Sequence, residues 1–272
     1  MADEKIPNYF REKMQRGEVA STLSVKMVRT NDIIMMAKSA GFDGVMIDME
    51  HSSFDFETTS QLCIAALGIG ITPIVRSPSK NSSYIARILD GGALGVIVPH
   101  VKTVQDVKDI VEAAKFTPVG KRSAGGGLPH LQYRSPPAEV ANSLCNEATL
   151  VIPMIETLEA LEAVNEIAAV PGVDALFMGS SDMTAEMGIP GEYDNKKLMD
   201  AYERMISACT RNGKFAGVGG LQTRLDLAEK VCGMGAGWIS SAMDSALLFG
   251  AVSQKGKEMK ELNNRVQQKS RK

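Results

Sequence analysis

A single rhythm constrains this chain more than any other feature. Eight short apolar runs recur along it, at Thr22–Met27, Gly44–Met49, Thr72–Arg76, Gly95–Pro99, Thr149–Ile155, Ala175–Met178, Phe215–Gly219 and Trp238–Ala242. Stretches with helical spacing separate them. Asn31–Ala40 follows Asn/Asp cap residues and stops at Gly41, and Thr103–Lys115 starts on a Thr cap. Leu158–Ala168 and Lys196–Asn212 carry the same helical pattern. Strands that are apolar along their whole length belong to a parallel sheet covered by helices. Eight such units in roughly 230 residues predict a closed (β/α)8 barrel, an α/β fold. An open doubly wound sheet is the alternative, but no G-x-G-x-x-G follows the first run. Residues 1–272 are expected to form one barrel domain. Residues 1–17 add a leading helix around Ile6–Gln15, and 254–272 add a polar extension, either a final helix or a frayed tail.

Composition removes several function classes. The formal net charge is −2 and the pI about 6.0, which predicts neither a nucleic-acid nor a membrane partner. No apolar run approaches the roughly 20 residues of a membrane helix. The N-terminus, Met-Ala-Asp-Glu-Lys, lacks the basic-then-apolar plan of a signal peptide, so a cytoplasmic location is expected. Cys63, Cys145, Cys209 and Cys232 form no C-x-x-C pair and read as reduced structural thiols.

In a (β/α)8 barrel, chemistry sits at the C-terminal ends of the strands. The second run delivers Asp48, Glu50 and His51, the third Arg76, and the fourth His100. The fifth ends at Glu156, Gly179-Ser180-Ser181-Asp182 follows the sixth, and Asp244 lies near the end of the eighth. Any one of these could be polar simply because a loop begins there. Their convergence is harder to dismiss, since two of the chain's three histidines fall at strand ends. The third, His130, is expected at the surface or rim.

Glu156 and Asp182 come from neighbouring strands. Two hard oxygen donors without a His/Cys cluster favour Mg²⁺ or Mn²⁺ and leave positions open for water and a 2-oxo acid. Gly179 permits close backbone approach, and amides at Ser181 and Asp182 offer a carboxylate site, although Asp182 alone would also serve as an ordinary helix N-cap.

The segments "GFDGVMIDMEH", "PIVRSPS", "VIPMIET" and "GVDALFMGSSDMTAEMG" resemble, in order, the HpcH/HpaI family of class II pyruvate aldolases. The resemblance runs from about residue 18 to 250 and implies a divalent metal (Mg²⁺, Mn²⁺ or Co²⁺) and cleavage or formation of 4-hydroxy-2-oxo acids through a metal-bound pyruvate enolate. It also implies a homo-oligomer, usually a hexamer built from dimers that exchange C-terminal helices. By the same resemblance Glu156 and Asp182 are metal ligands, and His51 is the acid/base oriented by Asp48. Arg76 stands beside the keto oxygen, and the amides of Ser181 and Asp182 hold the pyruvoyl carboxylate. Two residues depart from the pattern. Met154 replaces a glutamine common two residues before the metal-binding glutamate. His100 replaces an apolar residue and resembles the fungal macrophomate synthase branch, which implies oxaloacetate decarboxylation coupled to C–C bond formation. His100 is therefore expected at the second substrate or a leaving carboxylate. The loop Gly120–His130 is expected to be a substrate loop in which Arg122 binds an acid group or merely anchors the chain.

A Schiff-base aldolase would need a lysine inside the barrel, for which Lys26 is the weak candidate and Lys102 lies just past the fourth strand. A CoA-thioester lyase would need a basic phosphate patch that the sequence does not display. A non-catalytic barrel is at odds with intact Glu156, Asp182, Arg76 and His51.

Overall fold

All eight apolar runs form strands in a computed structural model that describes residues 5–270. The strands are β1 (Ala20–Val25), β2 (Gly44–Asp48), β3 (Thr72–Arg76), β4 (Gly95–Val98), β5 (Leu150–Ile155), β6 (Ala175–Gly179), β7 (Phe215–Gly219) and β8 (Trp238–Met243). They pair in parallel in chain order, and β8 closes on β1, giving the (β/α)8 barrel. Twelve α-helices are found among the described residues. They are α1 (Tyr9–Gln15), α2 (Asp32–Ser39), α3 (Phe56–Ile69), α4 (Ser82–Asp90), α5 (Val104–Ala114) and α6 (Ala138–Ala148), followed by α7 (Leu158–Glu162), α8 (Val164–Ala169), α9 (Ser180–Glu186), α10 (Lys196–Arg211), α11 (Leu225–Gly233) and α12 (Asp244–Ser270).

Local chemistry sets most helix ends. Thr103 starts α5 through a capping box with Asp106, and Asp55 caps α3 by accepting from the Thr58 amide. The expected Asn31 cap of α2 is not made, because Asn31 sits in helical geometry with its side chain off the helix N–H groups. Gly41, at φ 89°, ends that helix as expected. The Leu158–Ala168 stretch is broken at Ala163 into α7 and α8.

Side chains alternate across each strand, so every second residue faces the barrel axis. Met46, Ile74, Ile97, Ile152, Met154, Phe177 and Trp238 fill the interior. Val45, Ile47, Val75, Val96 and Leu176 face outward into the layer under the helices. The leading helix, α1, plugs the N-terminal end of the barrel. Its Phe10 meets Trp238 edge to face at 5.3 Å, and the Trp238 indole N–H donates to Thr22 Oγ1 at 3.0 Å. The polar extension is the outer part of α12, a single 27-residue helix. Residues 1–4 and 271–272, the outermost parts of the two expected end segments, lie outside the described residues. No helix among the described residues is long and apolar enough to cross a membrane.

Candidate active site

The period of two that buries Met46, Ile74 and Met154 inside the barrel carries on to Asp48, Arg76 and Glu156, one layer nearer the C-terminal mouth. Asp48 and Arg76 are direct partners in the β2–β3 register. Their side chains lock: Arg76 Nε donates to Asp48 Oδ1 at 3.0 Å and Nη2 to Oδ2 at 2.6 Å. Asp48 Oδ1 also accepts the main-chain N–H groups of Glu50 (3.0 Å) and His51 (3.2 Å). Asp48 is only 1% exposed. Burial alone would raise its carboxyl, but the Arg76 hydrogen bonds and charge, with the His51 amide and Lys26 behind them, hold it below its ordinary value.

This arrangement corrects one expectation. Asp48 does not orient the His51 ring, because its oxygens are taken up by Arg76 and two backbone amides. It fixes the main chain under His51 instead. The ring is 55% exposed at the mouth, and its Nε2 lies 3.7 Å from Glu50 Oε2.

Glu50, named among the strand-end acids but given no role from the sequence, is the hub of the rim. Its buried carboxylate reaches Arg76 Nη1 at 3.0 Å and His100 Nε2 at 2.9 Å, besides the His51 ring. His100 has a positive φ of 59°, a strained setting for a residue with a Cβ. That backbone turn places two of its groups on Glu156 Oε1, the main-chain N–H at 2.6 Å and ring Nδ1 at 3.3 Å. His100, on the neighbouring strand end, thus supplies polar contacts to Glu156, and the thioether of Met154 supplies none. The geometry ties His100 to the two glutamates while its side chain stays 62% exposed.

A cavity of about 260 Å³ opens beside these groups, and Lys26, Asp48, His51, Arg76, Gly179, Ser181 and Asp182 all line it. Met46, Met154 and Phe177 form its apolar base, and Ser24, Ser240 and Gln222 add neutral polar wall. Gly179 keeps this corner open, since a Cβ would sit 2.5 Å from Met154 Cε and 3.2 Å from Glu156 Oε2 and would have to displace both side chains. Ser180, the first residue of α9, is pinned by Tyr202, whose hydroxyl donates to Ser180 Oγ at 2.8 Å. Ser181 and Asp182 therefore follow a fixed turn.

The site's charges suit a divalent cation. Burial, with Glu50 and Asp182 nearby, pushes the Glu156 carboxyl up, and the His100 amide opposes this. Crowded carboxylates of this kind are relieved by a bound cation. Among the described residues no group of three or more His, Cys, Asp or Glu side chains is arranged around one point. The hard oxygen donors of Glu156 and Asp182, close enough to raise the Glu156 carboxyl, are of the chemistry that suits a hard cation, whose other positions water and substrate would fill.

Of the two roles expected of Arg122, acid binding and anchoring of its loop, the anchor is the one made within this chain. The Arg122 guanidinium pairs with Asp90 at the end of α4 (2.6 Å) and lies over the Phe116 ring (4.5 Å). Nearby, His130 Nε2 meets the Ala93 carbonyl at 2.9 Å, just before β4. The loop follows α5 and precedes β5, so it lies at the N-terminal end of the barrel, opposite the cavity. Arg122 is an anchor there. Lys102 is exposed and pairs with Glu159, away from the cavity.

Comparison with known proteins identifies the family and the fold. The family model described as HpcH/HpaI aldolase/citrate lyase matches residues 27–251. The 4-hydroxy-4-methyl-2-oxoglutarate aldolase of Hapsidospora irregularis is 37% identical over 244 residues, 89% of this chain and 90% of the relative. Among solved structures, the HpcH/HpaI aldolase of Desulfitobacterium hafniense superposes with a TM-score of 0.87 at 26% identity, covering 94% of this chain and 98% of that one. Macrophomate synthase superposes with a TM-score of 0.77 at 24% identity over 93% and 90% of the two chains, a likeness of fold.

Proposed function

The chain belongs to the HpcH/HpaI aldolase/citrate lyase family and is a carbon–carbon lyase, and from that premise we propose that it cleaves and forms 4-hydroxy-2-oxo acids at the cavity lined by Asp48, Arg76 and Asp182, with Glu156 packed behind Gly179 at its edge. The observation that carries this reading is the shared inward layer of Asp48, Arg76 and Glu156, with Asp182 at the adjacent turn. The compound in the Hapsidospora relative's name, 4-hydroxy-4-methyl-2-oxoglutarate, suggests the substrate class, a 4-hydroxy-2-oxo acid with a second carboxylate.

In cleavage the C3–C4 bond breaks. The C4 hydroxyl gives up its proton and becomes the carbonyl of the released half, while the electron pair moves to C3 and the keto oxygen as an enolate. Protonation at C3 then yields pyruvate. Glu156 and Asp182 would hold Mg²⁺, Mn²⁺ or Co²⁺, which supplies Lewis acidity toward the 2-oxo acid. Arg76, spread between Asp48 and Glu50, keeps part of its fork for the oxygen on which charge develops. His51, at the mouth on a backbone held by Asp48, takes the C4 hydroxyl proton and returns it in the addition direction. The amides at Ser181 and Asp182 receive the pyruvoyl carboxylate, with Gly179 leaving room for it.

We also assign a homo-oligomeric state. It is supported by the apolar side chains that α12 leaves exposed, including Leu247, Leu248, Phe249 and Val252.

The test is pyruvate release from 4-hydroxy-4-methyl-2-oxoglutarate and from oxaloacetate, followed with lactate dehydrogenase. Release from the hydroxy-oxo acid that disappears in Glu156→Ala supports the aldolase. Release from oxaloacetate alone moves the assignment to the decarboxylase branch.

A further inference from the structure

The inward row of β1 runs Thr22, Ser24 and then, just past the strand, Lys26. Both Ser24 and Lys26 line the catalytic cavity. The Lys26 side chain is only 25% exposed, and its one ion pair among the described residues is long, 3.8 Å from Asp48 Oδ2. Asp48 does not need it, since Arg76 already holds that carboxylate at two points. The ammonium thus borders the cavity with one loose contact and its donors otherwise uncommitted.

The backbone beneath Lys26 is nevertheless fixed with care. The buried Asp244 carboxylate, at the start of α12, accepts the N–H groups of Lys26 (3.1 Å), Met27 (3.0 Å) and Val28 (2.9 Å). A chain segment latched at three consecutive amides presents its lysine in one place. In the closed strand order β1 lies across the barrel from β5, which carries Glu156. A substrate whose pyruvoyl end rests at Glu156, Asp182 and Arg76 therefore extends its far end toward β1.

We propose that Lys26 is a specificity-determining residue that binds the distal carboxylate of a dicarboxylic 4-hydroxy-2-oxo acid, so that the acceptor half is an oxo acid rather than a neutral aldehyde. This rests on the aldolase reading above. The ammonium gives the carboxylate a charge-assisted hydrogen bond, with Gln222 on the same cavity wall as a second donor.

The test compares 4-hydroxy-4-methyl-2-oxoglutarate with 4-hydroxy-2-oxopentanoate, whose tail ends in a methyl group, for the wild type, Lys26→Gln and Lys26→Arg. Losing a hydrogen bond to a charged group predicts that Lys26→Gln shifts the kcat/KM ratio of dicarboxylate to neutral substrate by about 30-fold against the dicarboxylate, mainly through KM. Lys26→Arg keeps most of the selectivity. An active Lys26→Gln enzyme with an unchanged ratio overturns the Lys26 assignment alone, as does an equal loss on both substrates. Borohydride trapping of pyruvate on Lys26 would overturn it in favour of a Schiff-base role. A wild type that releases no pyruvate from either substrate sinks the aldolase reading and this inference with it.

Discussion

Asp48→Asn removes one negative charge with almost no change of shape, and the structure makes its cost calculable. Every group that Asp48 meets is a donor: Arg76 Nε and Nη2, the amides of Glu50 and His51, and more distantly the Lys26 ammonium. Whichever way an asparagine amide is turned, its NH₂ faces one of them. Arg76, itself mostly buried, then keeps Glu50 as its remaining anion. Breaking a buried, hydrogen-bonded pair from one side costs about 3–5 kcal/mol. A guanidinium displaced by about 1 Å is expected to lower kcat at least about 100-fold. Urea unfolding read by fluorescence, with wild type and variant compared at equal m-value, gives the stability, and the pyruvate assay gives kcat. A loss under about 1 kcal/mol with kcat within a few-fold of wild type would refute the reasoning, because the rim would then be held by something other than this carboxylate. The pH dependence follows from the lowered Asp48 carboxyl. Its stabilisation is complete above the ordinary value of about 4 and drains away as pH falls below that through the folded-state value, a loss that Asp48→Asn no longer shows.

Gly179→Ala forces a methyl group against Met154 Cε and the Glu156 carboxylate. Stability should fall by about 1–3 kcal/mol, with Mn²⁺ affinity reduced in the same variant. Tight Mn²⁺ binding by Gly179→Ala would argue against Glu156 as a ligand. Asp244→Ala strands the amides of Lys26, Met27 and Val28, and about 2 kcal/mol or more should be lost. Thermal melts check this, and an unshifted melt would show that the latch is dispensable. His130, whose Nδ1 is buried without a hydrogen-bond partner, is pushed down to about 4 by burial, against the pull of the Ala93 carbonyl. Its unfolded form takes up a proton near pH 6.5, so its contribution is intact above that pH. About 3 kcal/mol drains away as pH falls to 4. The stability curve of His130→Gln should be flatter across this window, and parallel curves would contradict it.

The barrel was readable because eight apolar runs demand burial on both faces, and a parallel sheet wrapped in helices satisfies all of them at once. The rim was readable by position, since Asp48, Arg76 and Glu156 each stand two residues beyond an apolar, inward-facing residue. What the strand ends could not give was pairing. Whether Asp48 serves the His51 ring or the Arg76 guanidinium depends on β2–β3 register, which no single strand encodes. Glu50 was visible but had no role until two histidines and Arg76 were seen to reach it. His100 needed its positive φ, unforeseeable for a residue with a Cβ, to turn onto Glu156. The misplaced Arg122 had a usable signal. Its loop follows a helix and precedes a strand, and in this topology such loops lie at the end of the barrel away from the chemistry.

On the proposed chemistry this rim makes and uses an enolate of pyruvate, with a divalent cation that Glu156 and Asp182 would hold. Exchange of the pyruvate methyl protons with D₂O, followed by ¹H NMR, tests it without requiring knowledge of the acceptor. The account predicts exchange that depends on added Mg²⁺ or Mn²⁺ and is abolished in Glu156→Ala. Exchange that persists in Glu156→Ala, or none in metal-loaded wild type, would contradict it.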